Sequence, residues 1–204
     1  AGEVVSEKIA EHPAFRNVAR SYAKLFDMQH DPQYQDALTY VSPSTGDRVN
    51  ASFLVPRSIE DLQRRRRAIS TWAESSNGFL GRSGDYMNSA LTALGTAVKW
   101  FSQADPKFGD NIRNYYEWAR ENDILATHTL IPPQVNRSVS GSEQLGGQLS
   151  ARIVEERGDG IVIQGARMLA TIAPIADELL VFPSTVLRGT PEDAPYSYAF
   201  AIPN

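Results

Sequence analysis

The sequence contains no cysteine among its 204 residues. This absence excludes disulfides, thiolate-bound metals and a cysteine nucleophile within the chain, and it favours a cytoplasmic location. Histidine is also scarce and occurs only as His12, His30 and His128. Because His128 has no second histidine or carboxylate at ligand spacing, the sequence predicts no metal site.

Long apolar runs and a strong net charge are absent as well. No run approaches the roughly 18 residues that a membrane-spanning helix needs, and no signal-peptide pattern is visible at the start. The net charge of −4 and the isoelectric point near 5.4 give no general attraction to nucleic acid or to an anionic membrane. We therefore expect a soluble globular protein with neither kind of partner.

The familiar motifs for nucleotides and nucleophiles are missing too. No Gly-x-Gly-x-x-Gly follows a strand pattern, and no Gly-x-Ser-x-Gly elbow is present. Any cofactor must therefore be held by other means.

The sequence does contain a helical pattern followed by a strand pattern. Apolar residues recur at helical spacing over 13–26, 58–76, 84–104 and 106–122. A dense turn cluster predicts a β-hairpin near 39–55. Beyond a long loop at 127–147, alternating apolar residues predict strands within 153–163, 178–183 and 196–202. We predict an α+β fold with a mainly helical domain at 1–130 and an incomplete antiparallel, barrel-like β domain at 131–204.

Two local signals refine this outline. Ser58 and Asp61 have the spacing of a capping box, which predicts a helix start at this point. Four consecutive arginines, 64–67, point about 100° apart on that helix, so we expect a solvated, partly salt-bridged helix surface.

The chain stops directly after a strand-like pattern, and an unpartnered final strand would leave an exposed edge, so we expect a longer polypeptide.

Arg82 and Tyr86 are the most informative pair for function. They lie four positions apart, so their side chains share one face if this turn is helical. A guanidinium beside a phenolic hydroxyl can bind a small oxyanion. His128 opens the long loop, and its imidazole can accept a proton near neutral pH. Together these three side chains can hold and deprotonate a phenol, although a structural role for His128 remains the alternative.

Several stretches together resemble a known family. They are HPAFRN at 12–17, YVSPSTG at 40–46, GRS at 81–83, DYMN at 85–88, THTL at 127–130, PQVNR at 133–137 and GARMLATIAPIADELLVFPST at 165–185. Their order and content resemble the oxygenase component of the two-component 4-hydroxyphenylacetate 3-hydroxylase family, which includes chlorophenol monooxygenases. The resemblance implies an acyl-CoA-dehydrogenase-like fold whose C-terminal helical bundle is absent from this chain. It also implies a homotetramer or dimer that receives reduced FAD from a separate NAD(P)H-dependent reductase.

The resemblance assigns roles to residues of this sequence. The family's phenol-binding arginine and tyrosine correspond to Arg82 and Tyr86, and its catalytic histidine corresponds to His128. The implied flavin contacts are His128, Thr129, Leu130, Gln134, Val135, Asn136, Arg137 and Thr171, and the implied substrate neighbours include Ser184 and Thr185. One departure is Pro132, where many relatives carry asparagine, so one backbone donor is lost. The variable segment 140–148 is a candidate substrate lid.

The implied reaction hydroxylates a phenol ortho to its hydroxyl group through a flavin 4a-hydroperoxide formed with molecular oxygen. His128 would accept the phenol proton, while Arg82 and Tyr86 would stabilise the phenolate. The sequence leaves open whether the phenol is free or tethered to a carrier protein. Two alternatives also stay open: a catalytically silent subunit of the same fold, and a relative of acyl-CoA dehydratases or dehydrogenases. The dehydratase that shares this fold holds an iron–sulfur cluster with cysteines, which this stretch lacks.

Overall fold

The computed structural model describes residues 8–79, 85–136, 138–139, 141–183, 187 and 189–204. The chain divides into two compact units, Ala1–Leu125 and Ala126–Asn204. The second unit thus begins with the strand that carries His128, grouped with the strands that it pairs with.

The first unit is mainly helical, as the periodicity predicts. Its helices are α1 (Arg16–Asp27), α2 (Gln35–Leu38), α3 (Ile59–Ser75), α4 (Asp85–Thr96), α5 (Val98–Phe101) and α6 (Pro106–Glu121). Strands β1 (Thr39–Val41) and β2 (Arg48–Asn50) pair antiparallel, which confirms the predicted hairpin. The core contains Leu25, Met28, Leu38, Ala51, Ala68 and Trp72.

The capping box at the start of α3 is confirmed. Ser58 Oγ accepts a hydrogen bond from the Asp61 amide at 3.1 Å, and Asp61 Oδ2 accepts one from the Ser58 amide at 3.1 Å. These bonds satisfy two backbone donors that the first helical turn would otherwise leave unpaired.

The single helix predicted over 84–104 is two helices, with a break at Ala97 between α4 and α5. Gly95 and Thr96 precede the break, and both are weak helix formers. A Cβ atom at Gly95 would lie 2.7 Å from the Tyr116 ring. Glycine is therefore required there for the close approach of α4 to α6.

Two of the four consecutive arginines differ from the predicted solvated surface. Arg64 donates to the Thr39 carbonyl at 2.7 Å. Arg65 donates to the carbonyls of Ser52 and Leu54 at 2.5 and 2.8 Å. The remaining two arginines are exposed, as predicted. The prediction was wrong for Arg64 and Arg65 because carbonyls of neighbouring segments accept their hydrogen bonds, which the local sequence does not reveal.

The second unit consists of short strands joined by irregular segments. Its strands are β3 (Ala126–Thr129), β4 (Arg152–Arg157), β5 (Gly160–Gln164), β6 (Glu178–Val181) and β7 (Phe200–Pro203). β4 and β5 form an antiparallel hairpin, and the other three form one sheet in the order β3-β6-β7. Ala151, Val181 and Tyr198 form the buried core of this unit.

The predicted antiparallel, barrel-like β domain is wrong in two respects. β3 and β6 run parallel, whereas β6 and β7 run antiparallel, so the sheet is mixed. Within the described residues, the strands form small open sheets and no closed barrel. The long stretch between β3 and β6 permits the crossover that parallel pairing requires.

None of the helices in the described ranges is long and apolar enough to cross a membrane.

Candidate functional site

Tyr86 lies on the exposed side of the first turn of α4. Its side chain is 42% exposed, whereas its neighbours Met87 and Asn88 are 3% and 2% exposed. The helix therefore anchors itself through the two following residues and presents the tyrosine outward. Arg82, its predicted partner, lies outside the described residues.

Polar contacts fix this turn of α4 to the segment that follows β2. Asn88 Nδ2 donates to Ser52 Oγ at 2.8 Å, and Ser52 Oγ donates to Asn50 Oδ1 at 2.6 Å. Arg65 adds a hydrogen bond to Ser89 Oγ at 2.6 Å. Buried polar contacts of this kind restrict the orientation of the helix, and thus the position from which Tyr86 projects.

A cavity inside the first unit is too small to hold a phenol. Its volume is about 20 Å³, and its walls include Tyr22, Trp72 and Asn88. Such a volume accommodates about one water molecule, whereas pockets for drug-sized ligands occupy about 300–1,000 Å³. We therefore do not assign substrate binding to this cavity.

In the second unit, β3 carries His128 between two threonines. Every residue of this strand is buried, and His128 is 8% exposed. Successive strand residues face opposite sides, so the imidazole lies on one face and the two threonine hydroxyls on the other. The ring centroids of His128 and Phe182 are 6.3 Å apart. An aromatic ring thus lies beside the buried imidazole.

The two threonines hold a turn that contains unfavourable backbone conformations. Thr127 Oγ1 donates to the Thr171 carbonyl, and Thr129 Oγ1 donates to the Met168 carbonyl at 2.7 Å. Leu169 lies between the two anchored residues, Met168 and Thr171, and Ile172 follows them; their φ angles are 68° and 59°. Non-glycine residues, and β-branched isoleucine above all, rarely adopt left-handed conformations. Such strain persists only where the surroundings over-determine it, which is typical of functional sites.

The turn exposes both a hydroxyl-bearing and an apolar surface. Thr171 is exposed, and Met168 and Leu169 are 40% and 68% exposed. The neighbouring segment adds Ile131, which pairs with Met168, and Val135, which is 68% exposed. Apolar side chains beside a hydroxyl group match a flavin ring, which is flat and apolar with polar atoms along one edge.

The loop after β3 supplies amide side chains but fewer backbone donors than expected. Gln134 and Asn136 are both exposed. The amides of Val135 and Asn136, however, donate to Gln144 Oε1 at 3.1 and 2.9 Å. Contacts from these two residues to a ligand must therefore use the side chains or the Val135 carbonyl. This donor set, with amide and hydroxyl groups that both donate and accept, fits the ring edge of a flavin.

The buried Tyr198 lies close to Arg167 at the start of the strained turn. The guanidinium carbon of Arg167 is 5.7 Å from the ring centroid of Tyr198. Burial raises the pKa of Tyr198, and the charge of Arg167 opposes this rise. The phenol of Tyr198 is therefore neutral at physiological pH.

The predicted site residues fall into four groups, one of which is the loop residues Gln134, Val135 and Asn136. His128, Thr129, Leu130 and Thr171 come together around β3, because Thr127 links this strand to Thr171. Tyr86 belongs to the first unit. Four more predicted residues lie outside the described ones: Arg82, Arg137, Ser184 and Thr185. Sequence reasoning missed Thr127 and Gln144. The Thr-His-Thr alternation in a strand could have indicated the first, whereas nothing in a Gly- and Ser-rich segment marks the second.

Comparisons with known proteins find relatives of one family. The profile of the family described as 4-hydroxyphenylacetate 3-hydroxylase N terminal matches residues 1–204. Among curated proteins, the 4-hydroxyphenylacetate 3-monooxygenase oxygenase component of Geobacillus sp. (strain PA-9) is 48% identical over 203 residues, which are 100% of this chain and 40% of that relative.

Solved structures give the same result. The oxygenase component (HpaB) of 4-hydroxyphenylacetate 3-monooxygenase, complexed with FAD and 4-hydroxyphenylacetate, matches with a TM-score of 0.89 and 42% identity. The match covers 99% of this chain and 40% of that one. An archaeal 4-hydroxybutyryl-CoA dehydratase from N. maritimus has a TM-score of 0.83 at 20% identity, over 99% of this chain and 39% of that chain, and indicates a shared fold alone. The chain thus spans about 40% of the length of the relatives it matches.

Proposed function

The chain belongs to the 4-hydroxyphenylacetate 3-hydroxylase family, whose N-terminal profile it matches over residues 1–204, and from this membership we propose that it is part of a flavin-dependent monooxygenase. The complete enzyme hydroxylates a phenol ortho to its hydroxyl group, with reduced FAD and molecular oxygen as co-substrates. We expect its complete fold to be acyl-CoA-dehydrogenase-like, with a C-terminal helical bundle. A separate reductase supplies the reduced flavin, consistent with relatives named as oxygenase components.

One observation carries this proposal more than any other. β3 holds His128 on one face, while the threonines on either side of it fix the turn that exposes Thr171. A single rigid element thus determines the positions of a proton acceptor and of a hydroxyl group. Sites built on strands are held more accurately than sites built on loops.

The residues proposed for the cofactor surround this element. Bound reduced FAD supplies an electrophilic oxygen atom derived from O2. Thr129, Leu130 and Thr171 would hold the ring region. Gln134, Val135, Asn136 and Arg137 would contact it from the following loop. The exposed apolar side chains of this unit would exclude water from the bound ring, which favours transfer of the oxygen atom over release of peroxide.

Three side chains act on the phenol. A free phenol has a pKa of about 10, so at neutral pH it is a weak carbon nucleophile until its proton is removed. His128 accepts that proton, Arg82 stabilises the developing negative charge, and Tyr86 donates a hydrogen bond to the same oxygen. Ser184 and Thr185 border the ring. Loss of one such donor costs roughly 100- to 1,000-fold in rate.

The proposal is tested with the full-length protein, chemically reduced FAD, oxygen and a panel of para-substituted phenols. We expect catechols as products, and we expect His128→Ala to lower their yield and to raise the amount of hydrogen peroxide released. Replacement of the exposed His30 by alanine is the matched control and should change neither quantity. A panel that yields only peroxide would favour a catalytically silent subunit. Unchanged product and peroxide in His128→Ala would overturn the assignment of the base.

A further inference from the structure

Gln144 is a buried residue whose described neighbours Glu143, Leu145 and Gly146 are exposed. Its side chain is 2% exposed, although the next residue, Leu145, is 65% exposed. The surrounding 3-10 segment, Gly141–Gly147, is rich in glycine and polar residues. Segments of this composition usually lie on the surface, so the burial of this one amide calls for a physical reason.

The reason is that, among the described residues, Gln144 binds only backbone groups of the preceding loop. Its Oε1 atom accepts hydrogen bonds from the amides of Val135 and Asn136 at 3.1 and 2.9 Å. Its Nε2 atom donates to the carbonyls of Asn136 and Val139, the latter at 3.3 Å. A primary amide has two donor hydrogens and two acceptor lone pairs, and here all four are used. An irregular loop lacks the pairing that a helix or a strand provides, and this single side chain supplies it.

The backbone after Gln144 reverses sharply and is fixed again directly afterwards. Leu145 and Gly146 both have left-handed conformations, with φ angles of 46° and 66°. Tyr196 OH donates to the Gly147 carbonyl at 2.9 Å and is itself buried. The segment is therefore anchored on both sides of an exposed leucine. Leu145 bears a strained conformation that glycine would adopt freely.

We infer that Gln144 is a positioning residue for the cofactor, an inference that rests on the proposed function. Its hydrogen bonds fix the backbone of the loop from which Gln134 and Asn136 would reach a flavin. They also join this loop to the 141–147 segment, so a change in one displaces the other. Gln144 itself has no polar atom left for a ligand, and it acts entirely through the loop.

Three variants of the full-length protein separate this role from general stabilisation. Gln144→Leu removes all four hydrogen bonds while retaining an apolar volume. Gln144→Glu keeps an acceptor for the amides of Val135 and Asn136 but removes both donors. Gln164→Leu is the matched control, because it removes the same amide from an exposed position of β5 in the same unit.

The first measurement is hydrogen exchange in the flavin-free protein. We expect faster exchange at the amides of Val135 and Asn136 in Gln144→Leu, near wild-type exchange in Gln144→Glu, and no change in Gln164→Leu.

The second measurement is the affinity for FAD, followed by flavin fluorescence. We expect the Kd to rise about tenfold or more in Gln144→Leu, because buried backbone groups lose their partners, and by less in Gln144→Glu.

The outcomes discriminate between the alternatives. A purely structural role would lower the melting temperature of Gln144→Leu while leaving the FAD affinity of the folded protein unchanged, and that result would overturn the inference. If Gln144→Leu does not fold, Gln144→Glu is the deciding variant, and we expect it to bind FAD with intermediate affinity. A wild-type Kd in Gln144→Glu, together with fast exchange at the amides of Val135 and Asn136, would overturn the inference. Absence of hydroxylation in the wild-type protein would refute the proposed function, whereas the affinity series would still support or refute the role of Gln144.

Discussion

At the scale of single residues, the hydroxyl groups of Thr127 and Thr129 connect a regular strand to a turn with an unfavourable backbone. Both side chains are buried and both donate to carbonyls of the strained turn. Their position on either side of His128 follows from the two-residue period of a strand. The Thr-His-Thr sequence therefore contains enough information to predict which side chains share a face. It does not predict that Thr127 binds the carbonyl of Thr171, because that residue is far away in the chain and the contact is tertiary.

Replacement of Thr127 by valine tests the function of this contact. Valine has nearly the same shape, so the main change is loss of the hydrogen bond to the Thr171 carbonyl, with an expected cost of about 1–2 kcal/mol in the free energy of unfolding. Because Thr171 is proposed to contact the flavin, we also expect more peroxide per hydroxylated product. Thr71→Val is the control, since Thr71 makes a similar bond to Arg67 on an exposed helix face. Urea denaturation and peroxide assays measure both effects, and equal results for the two variants would contradict this account.

At the scale of elements, α3 shows where sequence reasoning succeeds and where it fails. The start of the helix is local: Ser58 and Asp61 are three positions apart and recognise each other's backbone. The contacts of Arg65 are not local, because its guanidinium donates to carbonyls of the segment after β2. The helical periodicity identifies the element, but it does not show that an arginine binds buried backbone.

Arg65→Met tests whether this arginine stabilises the first unit. Methionine keeps much of the apolar stem but leaves the carbonyls of Ser52 and Leu54 without these donors. We expect a loss of about 2–3 kcal/mol in the free energy of unfolding, because hydrogen bonds to charged groups are stronger than neutral ones. Arg66→Met, at an exposed position of the same helix, should change stability by less than about 0.5 kcal/mol. Urea denaturation of the variants gives the comparison, and a similar loss in both would show that general helix charge is responsible.

The end of α6 provides a pH-dependent contribution to stability. Arg120 is 4% exposed and pairs with Glu121 at 2.7 Å. Burial acts to raise the pKa of Glu121, but hydrogen bonds from Ser42, Arg120 and Thr45 outweigh it, so the pKa lies below its ordinary value of 4.5. A depressed carboxyl pKa means that the charged form favours the folded state. Its stabilisation is therefore complete above about pH 4.5 and is lost as the pH falls through the lower folded value.

Glu121→Gln should consequently destabilise the protein at neutral pH and much less in acid. We expect a loss of about 2 kcal/mol at pH 7, because the variant leaves the buried Arg120 without its counter-charge. The difference from wild type should shrink progressively below pH 4.5. Chemical denaturation across this pH range measures it, with Glu74→Gln, at an exposed position of α3, as the control. A difference that stays constant with pH would show that the charge of Glu121 is not responsible.

At the scale of the whole molecule, each of the two units has a core of its own. The helical unit could largely be predicted, because helices depend on contacts between residues three and four positions apart. The pairing of the second unit could not, because the parallel contact of β3 with β6 joins segments far apart in the chain. Strand periodicity predicts where a strand lies but not its direction or its neighbour. The site residues that the family resemblance implies remain proposals, and periodicity alone gives them no role.

The proposed roles of Arg82, Tyr86 and His128 imply that the substrate must be a phenol. Methyl ethers of the accepted phenols test this requirement. A methyl ether has almost the same ring and para substituent but no proton for His128 to accept, so the ring stays a poor nucleophile. With the full-length protein, reduced FAD and oxygen, we expect no hydroxylated ether and release of the consumed oxygen as hydrogen peroxide, measured with an oxygen electrode and by chromatography. Catalase should not lower the catechol yield from the parent phenol, because free peroxide is not the reagent. General base catalysis typically raises the rate by a factor of about 100 to 10,000. If the ether is hydroxylated at a rate within about tenfold of the phenol rate, removal of the proton is not required.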